Sequence, residues 1–171
     1  MTEPEEIVWQ GRFITAKTRG KWEYVSRSRG ISAAVILAVH EGAVVLVEQY
    51  RVPLGRTCIE LPAGLIGDDS TDEAPELAAV RELEEETGFR AGRMENLGQF
   101  YSSPGMVSES FHLMRAHDLT RVHAGGGVED ENITVHIVPL ADLEAFIADK
   151  RAQGSGIDVK LLLLLGARML G

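Results

Sequence analysis

The sequence predicts an α+β domain, and three observations predict it. Segments rich in β-branched residues stand both before and after one long helical segment. A tight glycine turn joins two of those segments, and two further helical segments close the chain. Strands that precede and follow a central helix, without regular βα alternation, favour an α+β or helix–sheet–helix arrangement over a doubly wound one.

Taken in order, residues 7–27 (IVWQGRFITAKTRGKWEYVSR) read as two or three short strands broken at Gly11 and at Arg19-Gly20. ISAAVILAVH and AVVLVEQYRV form a hairpin about Glu41-Gly42. CIELPAGLI is a short strand running into a Pro/Gly loop, and GDDSTD supplies turn and cap chemistry, with Thr71 or Asp72 as the cap. A helix over about 73–87 tolerates Pro75 in its first turn and ends at Gly88. Strands recur at 94–101, 110–116 and 133–138, and helices at 141–152 and 157–170 follow. The expected division is an N-terminal β-region, 1–30, and a main domain, 31–171.

A chain of 171 residues, 44% hydrophobic and 25% charged, has the composition of a soluble globular domain. Its net charge of −9 argues against a nucleic-acid partner, which would need Lys and Arg to neutralise phosphates. A small anionic substrate stays open if a metal or local arginines supply positive charge. The leucine run 161–165 is too short to span a bilayer, so no membrane partner is expected. A single cysteine, Cys58, and an acidic start without signal-peptide character point to a cytoplasmic protein.

The segment RELEEETGF, residues 81–89, is electrostatically odd. Carboxylates at a helix C-terminus oppose the macrodipole and cost about 0.3–1 kcal/mol each when exposed. At about 100° per residue, Glu82, Glu85 and Glu86 fall on one stripe, while Glu84 projects elsewhere. Three convergent carboxylates suit a hard divalent cation with oxygen ligands, which turns repulsion into coordination. Arg81 reaches Glu85 at i+4 and can orient it.

Residues 67–89, GDDSTDEAPELAAVRELEEETGF, resemble the Nudix hydrolase box, with Gly67, Glu73, Arg81, Glu82, Leu83, Glu85, Glu86, Gly88 and Phe89 at its constrained positions. The box glycine usually closes an ELPAG-like turn, here Glu60–Gly64, so GDDSTD is read as carrying a three-residue insertion. VEQYRVP (47–53), ELPAGL (60–65) and YSSPGMVSE (101–109) resemble the ADP-ribose and nucleotide-sugar pyrophosphatase branch of that family. The resemblance implies a Nudix α/β/α sandwich with a mixed sheet and a small antiparallel N-terminal β-region. It implies Mg²⁺ or Mn²⁺ held by the Ala63 carbonyl, Glu82, Glu85 and Glu86. It implies substrate contacts at Arg51, Gly64, Leu65, Ser103, Gly105 and Glu109.

The glycine-rich loop GGGVEDENI (125–133) resembles the mobile loop that brings a glutamate into the site. Glu129 is the first choice as general base and Glu131 the second, with Glu85 and Arg81 completing the catalytic set. The implied reaction is hydrolysis of ADP-ribose to AMP and ribose 5-phosphate. GDP-mannose or another nucleotide sugar is the alternative, since the SPG…E pattern is shared. A hydrolase of oxidised nucleoside triphosphates and a non-catalytic binding module are the remaining readings. The branch also implies a homodimer, with Trp9, Phe13, Trp22 and Tyr24 as stacking or interface residues.

Overall fold

The computed structural model describes residues 3–28, 32–66, 74–128 and 131–169. Three N-terminal strands, β1 (Glu5–Gln10), β2 (Ile14–Arg19) and β3 (Trp22–Arg27), form a separate antiparallel sheet. The breaks fall at the expected glycines.

The hairpin is present as β4 (Ala33–His40) and β5 (Ala43–Arg51), but its strands pair only at Val39–Val44 and His40–Ala43. They then diverge. β5 joins β6 (Arg56–Glu60) and β10 (Thr134–Pro139), whereas β4 joins β7 (Ala63–Leu65) and, in parallel, β9 (Ser110–Arg121). β8 (Phe89–Tyr101) pairs with β9, and the two-residue β11 (Gly156–Ile157) adds in parallel to β6, giving a mixed eight-stranded sheet.

Alternation along these strands feeds two cores. Ala34, Ile36, Val45 and Met114 pack beneath Ala79 and Leu83 of helix α1 (Pro75–Thr87). Val35, Leu46, Ile59 and Leu113 face the opposite way, against Leu143 and Ile147 of α2 (Leu143–Ala152) and Leu161. Helices cover both faces of the sheet, so the expected α/β/α sandwich is the observed fold. Among the described residues, no helix is long and apolar enough to cross a membrane.

Three local expectations are corrected. CIELPAGLI is two strands, because Pro62 has no N–H for a ladder and its carbonyl instead accepts from Ile36 N at 2.8 Å. Helix α1 begins at Pro75 with Ala74 at the cap position and no side-chain cap, while Thr71 and Asp72 lie outside the described residues. The C-terminal segment is not one helix from 157. Ile157 is held in the sheet beside Ile59, and the Asp158 carboxylate accepts from Lys160 N at 2.7 Å. A capping residue therefore stands inside the expected helix. A 3₁₀ turn, Val159–Leu161, intervenes before α3 (Leu162–Met169).

Candidate active site

Helix α1 sets its acidic stripe against the turn between β6 and β7. The Glu86 carboxylate accepts from Ala63 N at 3.0 Å. Gly64 lies so close to the helix that a Cβ there would stand 1.8 Å from the Glu82 carboxyl carbon. Only glycine permits that approach without displacing Glu82.

The acidic helix end is stabilised by specific partners. Gly88, at φ 73°, donates to Glu84 O at 2.8 Å. Gly126 and Gly127 donate to the carbonyls of Glu86 and Glu85 at 2.8 and 3.1 Å. These bonds satisfy carbonyls that a helix terminus would leave open. Through these bonds the glycine loop is fastened to the C-terminal end of α1. Arg90 takes Glu84 outward through two bonds of 2.7 and 2.8 Å. Arg81 reaches Glu82 at 3.0 Å and Glu85 at 3.3 Å.

A cavity of about 480 Å³ opens beside this contact. Its acidic end holds Glu82, Glu86 and Glu131. Glu131 accepts from Val128 N at 2.9 Å, and its carbonyl accepts from Gln49 Nε2 at 3.3 Å. Further along, Arg51 is clamped by Glu60 at 2.6 and 2.9 Å, and Arg27 is bound to Glu109 at 2.6 Å. Burial raises the Glu82 carboxyl above its usual range despite Arg81. Burial, reinforced by the charges of Glu82 and Glu131, pushes Glu86 up to about 8, against the opposing Ala63 N–H and Arg51.

The structure thus brings Arg51, Ala63, Gly64, Leu65, Glu82, Glu86, Glu109 and Glu131 to one cavity. Arg81 and Glu85 stand outside its lining, as does Ser103, whose carbonyl accepts from Met106 and Val107 N–H groups. Gly105 lines a different concavity, shared with Trp22 and Tyr24 of the N-terminal sheet. Glu129 and the box residues Gly67 and Glu73 lie outside the described residues.

Five polar lining residues were not singled out from sequence: Arg27, Gln49, Glu60, Ser102, which precedes the named Ser103, and Lys160. Gln49 and Glu60 sit inside EQYR and ELPAG, so the motifs carried a usable signal. Arg27 ends WEYVSR and offered none beyond its charge. Lys160 was hidden by reading 157–170 as one helix.

Among the described residues, no three His, Cys, Asp or Glu side chains stand close enough together to hold an ion in the conformation seen. The donor chemistry nevertheless fits a hard cation. All the acidic groups are oxygen donors, and burial with mutual repulsion holds Glu86 in a state that a nearby positive charge would relieve.

A NUDIX domain model matches residues 28–157. The chain belongs to the Nudix family. It is 39% identical over 112 residues to an ADP-ribose pyrophosphatase of Bacillus subtilis (strain 168), covering 65% of this chain and 59% of that protein. It is 41% identical over 147 residues to a GDP-mannose pyrophosphatase of Cronobacter sakazakii (strain ATCC BAA-894), covering 80% and 72%. A methanol dehydrogenase activator of Bacillus methanolicus is 38% identical over 125 residues, covering 72% and 66%. The Nudix chain therefore spans less than two thirds of two of these relatives. A solved structure described as an ADP compounds hydrolase shares the fold, with a TM-score of 0.73, 23% identity and coverage of 100% of this chain and 94% of that one.

The electrostatics give a first prediction. An ordinary carboxyl releases its proton near 4.5, whereas the folded chain retains the Glu86 proton to about 8. Glu86 binds its proton across that window only in the folded state, so its contribution to metal-free stability is fully present below the window and is lost as pH rises through it. Glu86→Gln, which can still accept from Ala63 N, should match the wild type near pH 4 and exceed it by a few kcal/mol at pH 9 in urea unfolding without metal. A variant weaker than the wild type at pH 9 would show the carboxylate to be a structural anchor.

Proposed function

We propose that this Nudix chain hydrolyses the pyrophosphate bond of a nucleoside diphosphate joined to a sugar. ADP-ribose is the preferred substrate, giving AMP and ribose 5-phosphate, and GDP-mannose is the alternative. The observation that carries the reading is a single cavity in which Glu82, Glu86 and Glu131 gather at one end, while Arg51 and Arg27, oriented by Glu60 and Glu109, and Lys160 line the rest. The acidic end suits a cation, and the two arginines suit the phosphates that accompany it. Relatives named for both compounds match at nearly equal identity, so likeness alone does not rank the two.

Glu82 and Glu86 would hold Mg²⁺ or Mn²⁺ with the Ala63 carbonyl, and Glu85 would join after a change of rotamer away from Arg81. When bound, such an ion polarises phosphoryl oxygens and offsets the charge that develops during substitution at phosphorus. Arg51, oriented by Glu60, would position the pyrophosphate. Glu131 lines the cavity, which supports it as the group that takes a proton from the attacking water; Glu129 is the second candidate. The new P–O bond comes from water, the bridging P–O bond breaks, and the leaving phosphate carries the electron pair.

Hydrolysis of ADP-ribose, GDP-mannose, UDP-glucose, NADH and nucleoside triphosphates with Mg²⁺ or Mn²⁺, with product identification, tests the proposal. The nucleoside diphosphate sugars should be cleaved to a nucleoside monophosphate and a sugar phosphate. Glu131→Gln should lower kcat by about 10²–10⁴, and Glu86→Gln by more. Turnover of none of these compounds with either metal removes the enzymatic reading.

The proposal includes a homodimer through the N-terminal sheet, supported by the exposure of Val8, Trp9, Phe13 and Trp22 there. Sedimentation at micromolar concentration should give twice the 18.7 kDa chain mass, and a monomer would refute this part.

A further inference from the structure

The C-terminal turn that replaces the start of the expected helix delivers one side chain to the cavity. Lys160 lines the cavity beside Ser102 and Phe111, and its backbone is anchored twice. Asp158 N donates to Ile59 O at 3.0 Å, tying the turn to the strand that carries Glu60. The Asp158 carboxylate then accepts from Lys160 N and from Lys160 Nζ, both at 2.7 Å. With the carboxylate braced by the backbone, the ammonium is held 5.7 Å from the centre of the Phe111 ring.

Arg27 and Arg51 each turn an Nε–H and an Nη–H to a carboxylate and keep three further N–H donors for phosphate oxygens. An ammonium has three donors, and Asp158 takes one of them, so Lys160 keeps donors for a ligand. Behind this corner lies an apolar recess of about 300 Å³ that shares Ser102, Phe111 and Lys160 with the main cavity. Phe100 stacks on Phe111 there at 5.9 Å and 25°.

An aromatic face, a hydroxyl and an ammonium together suit a sugar better than a bare phosphate. The negative face of the ring accepts sugar C–H groups, while hydroxyls bond to Lys160 and Ser102. We infer that Ser102, Phe111 and Lys160 form the subsite for the sugar of the non-nucleotide half. This assignment rests on the proposed pyrophosphatase reading. Lys160 is the sugar-binding residue, and Asp158 positions it.

The test compares wild type, Lys160→Met, Lys160→Arg and Ser102→Ala in the presence of Mg²⁺. Steady-state kinetics with ADP-ribose and GDP-mannose are combined with inhibition by ADP, which lacks the second sugar. Calorimetric binding of ribose 5-phosphate, mannose 1-phosphate and inorganic phosphate is measured in parallel. Lys160→Met should raise KM for both substrates about tenfold, the worth of a charged hydrogen bond, with kcat little changed. ADP inhibition and inorganic phosphate binding should stay the same, sugar phosphate binding should weaken about tenfold, and Lys160→Arg should restore part of the loss.

Ser102→Ala should show the same discrimination at about threefold, and it carries the test if Lys160→Met does not fold. Equal weakening of ADP or inorganic phosphate would make Lys160 a phosphate ligand and overturn the inference, as would unchanged KM and binding throughout. If the wild type turns over neither substrate, the pyrophosphatase reading fails on its own. The sugar phosphate titrations still decide the subsite: a Lys160-dependent preference for sugar phosphate over inorganic phosphate upholds it, and its absence overturns it.

Discussion

The contact between the acidic face of α1 and the turn at Pro62–Gly64 is the constraint on which the site depends. The Glu86 carboxylate rests on Ala63 N–H, and Glu82 occupies the volume that a side chain at residue 64 would claim. That contact buries two carboxylates at the end of a helix whose backbone already opposes negative charge. It persists because the hydrophobic side of the same helix, Ala79 and Leu83, is locked into the core over β4, β5 and β9. Packing stabilises the helix where electrostatics resist it, and the cost is concentrated where an ion and a pyrophosphate are proposed to bind.

The chain handles another half-buried glutamate in the opposite way. Burial pushes the Glu48 carboxyl up, but Lys150 at 2.6 Å and His136 at 2.9 Å outweigh it and hold it at about 2. Glu48 therefore contributes stability that is present above the ordinary carboxyl range and lost only as pH falls toward 2. Glu86, on α1, has instead one N–H bond to its carboxylate among the described residues, and carboxylate neighbours. The same side chain is an ionised clamp in one setting and a carboxyl kept protonated by burial in the other. That contrast between satisfied and frustrated carboxylates marks the site more clearly than the number of acidic residues does.

Much of this was legible in the residues, for identifiable reasons. The strand and helix classes followed from periodicity, the three N-terminal strands from Gly11 and Gly20, and the end of α1 from Gly88. Strand partners were not legible. Nothing local announces that β4 and β5 separate after two residue pairs to enter different halves of the sheet. The C-terminal segment misled because LLLLL outweighed Asp158, whose capping role depends on Ile157 being held beside Ile59. For the site, the box and ELPAG pointed to Glu82, Glu86, Ala63 and Gly64, and EQYR pointed to Arg51. Arg27 and Lys160 arrive from distant segments, and their convergence is a tertiary fact. The glycine loop, read from its resemblance as mobile, also gives N–H groups to the carbonyls of Glu85 and Glu86, which no local feature of the sequence announced.

The central claim is that Glu86 is a frustrated carboxyl waiting for a cation, and proton release on metal binding tests it most directly. Calorimetric titration of Mn²⁺ near pH 7, repeated in buffers of different ionisation enthalpy, reports the protons displaced. Because burial holds Glu86 protonated up to about 8, the account predicts release of about one proton per ion bound in the wild type and none in Glu86→Gln. Binding without proton release in the wild type would contradict it.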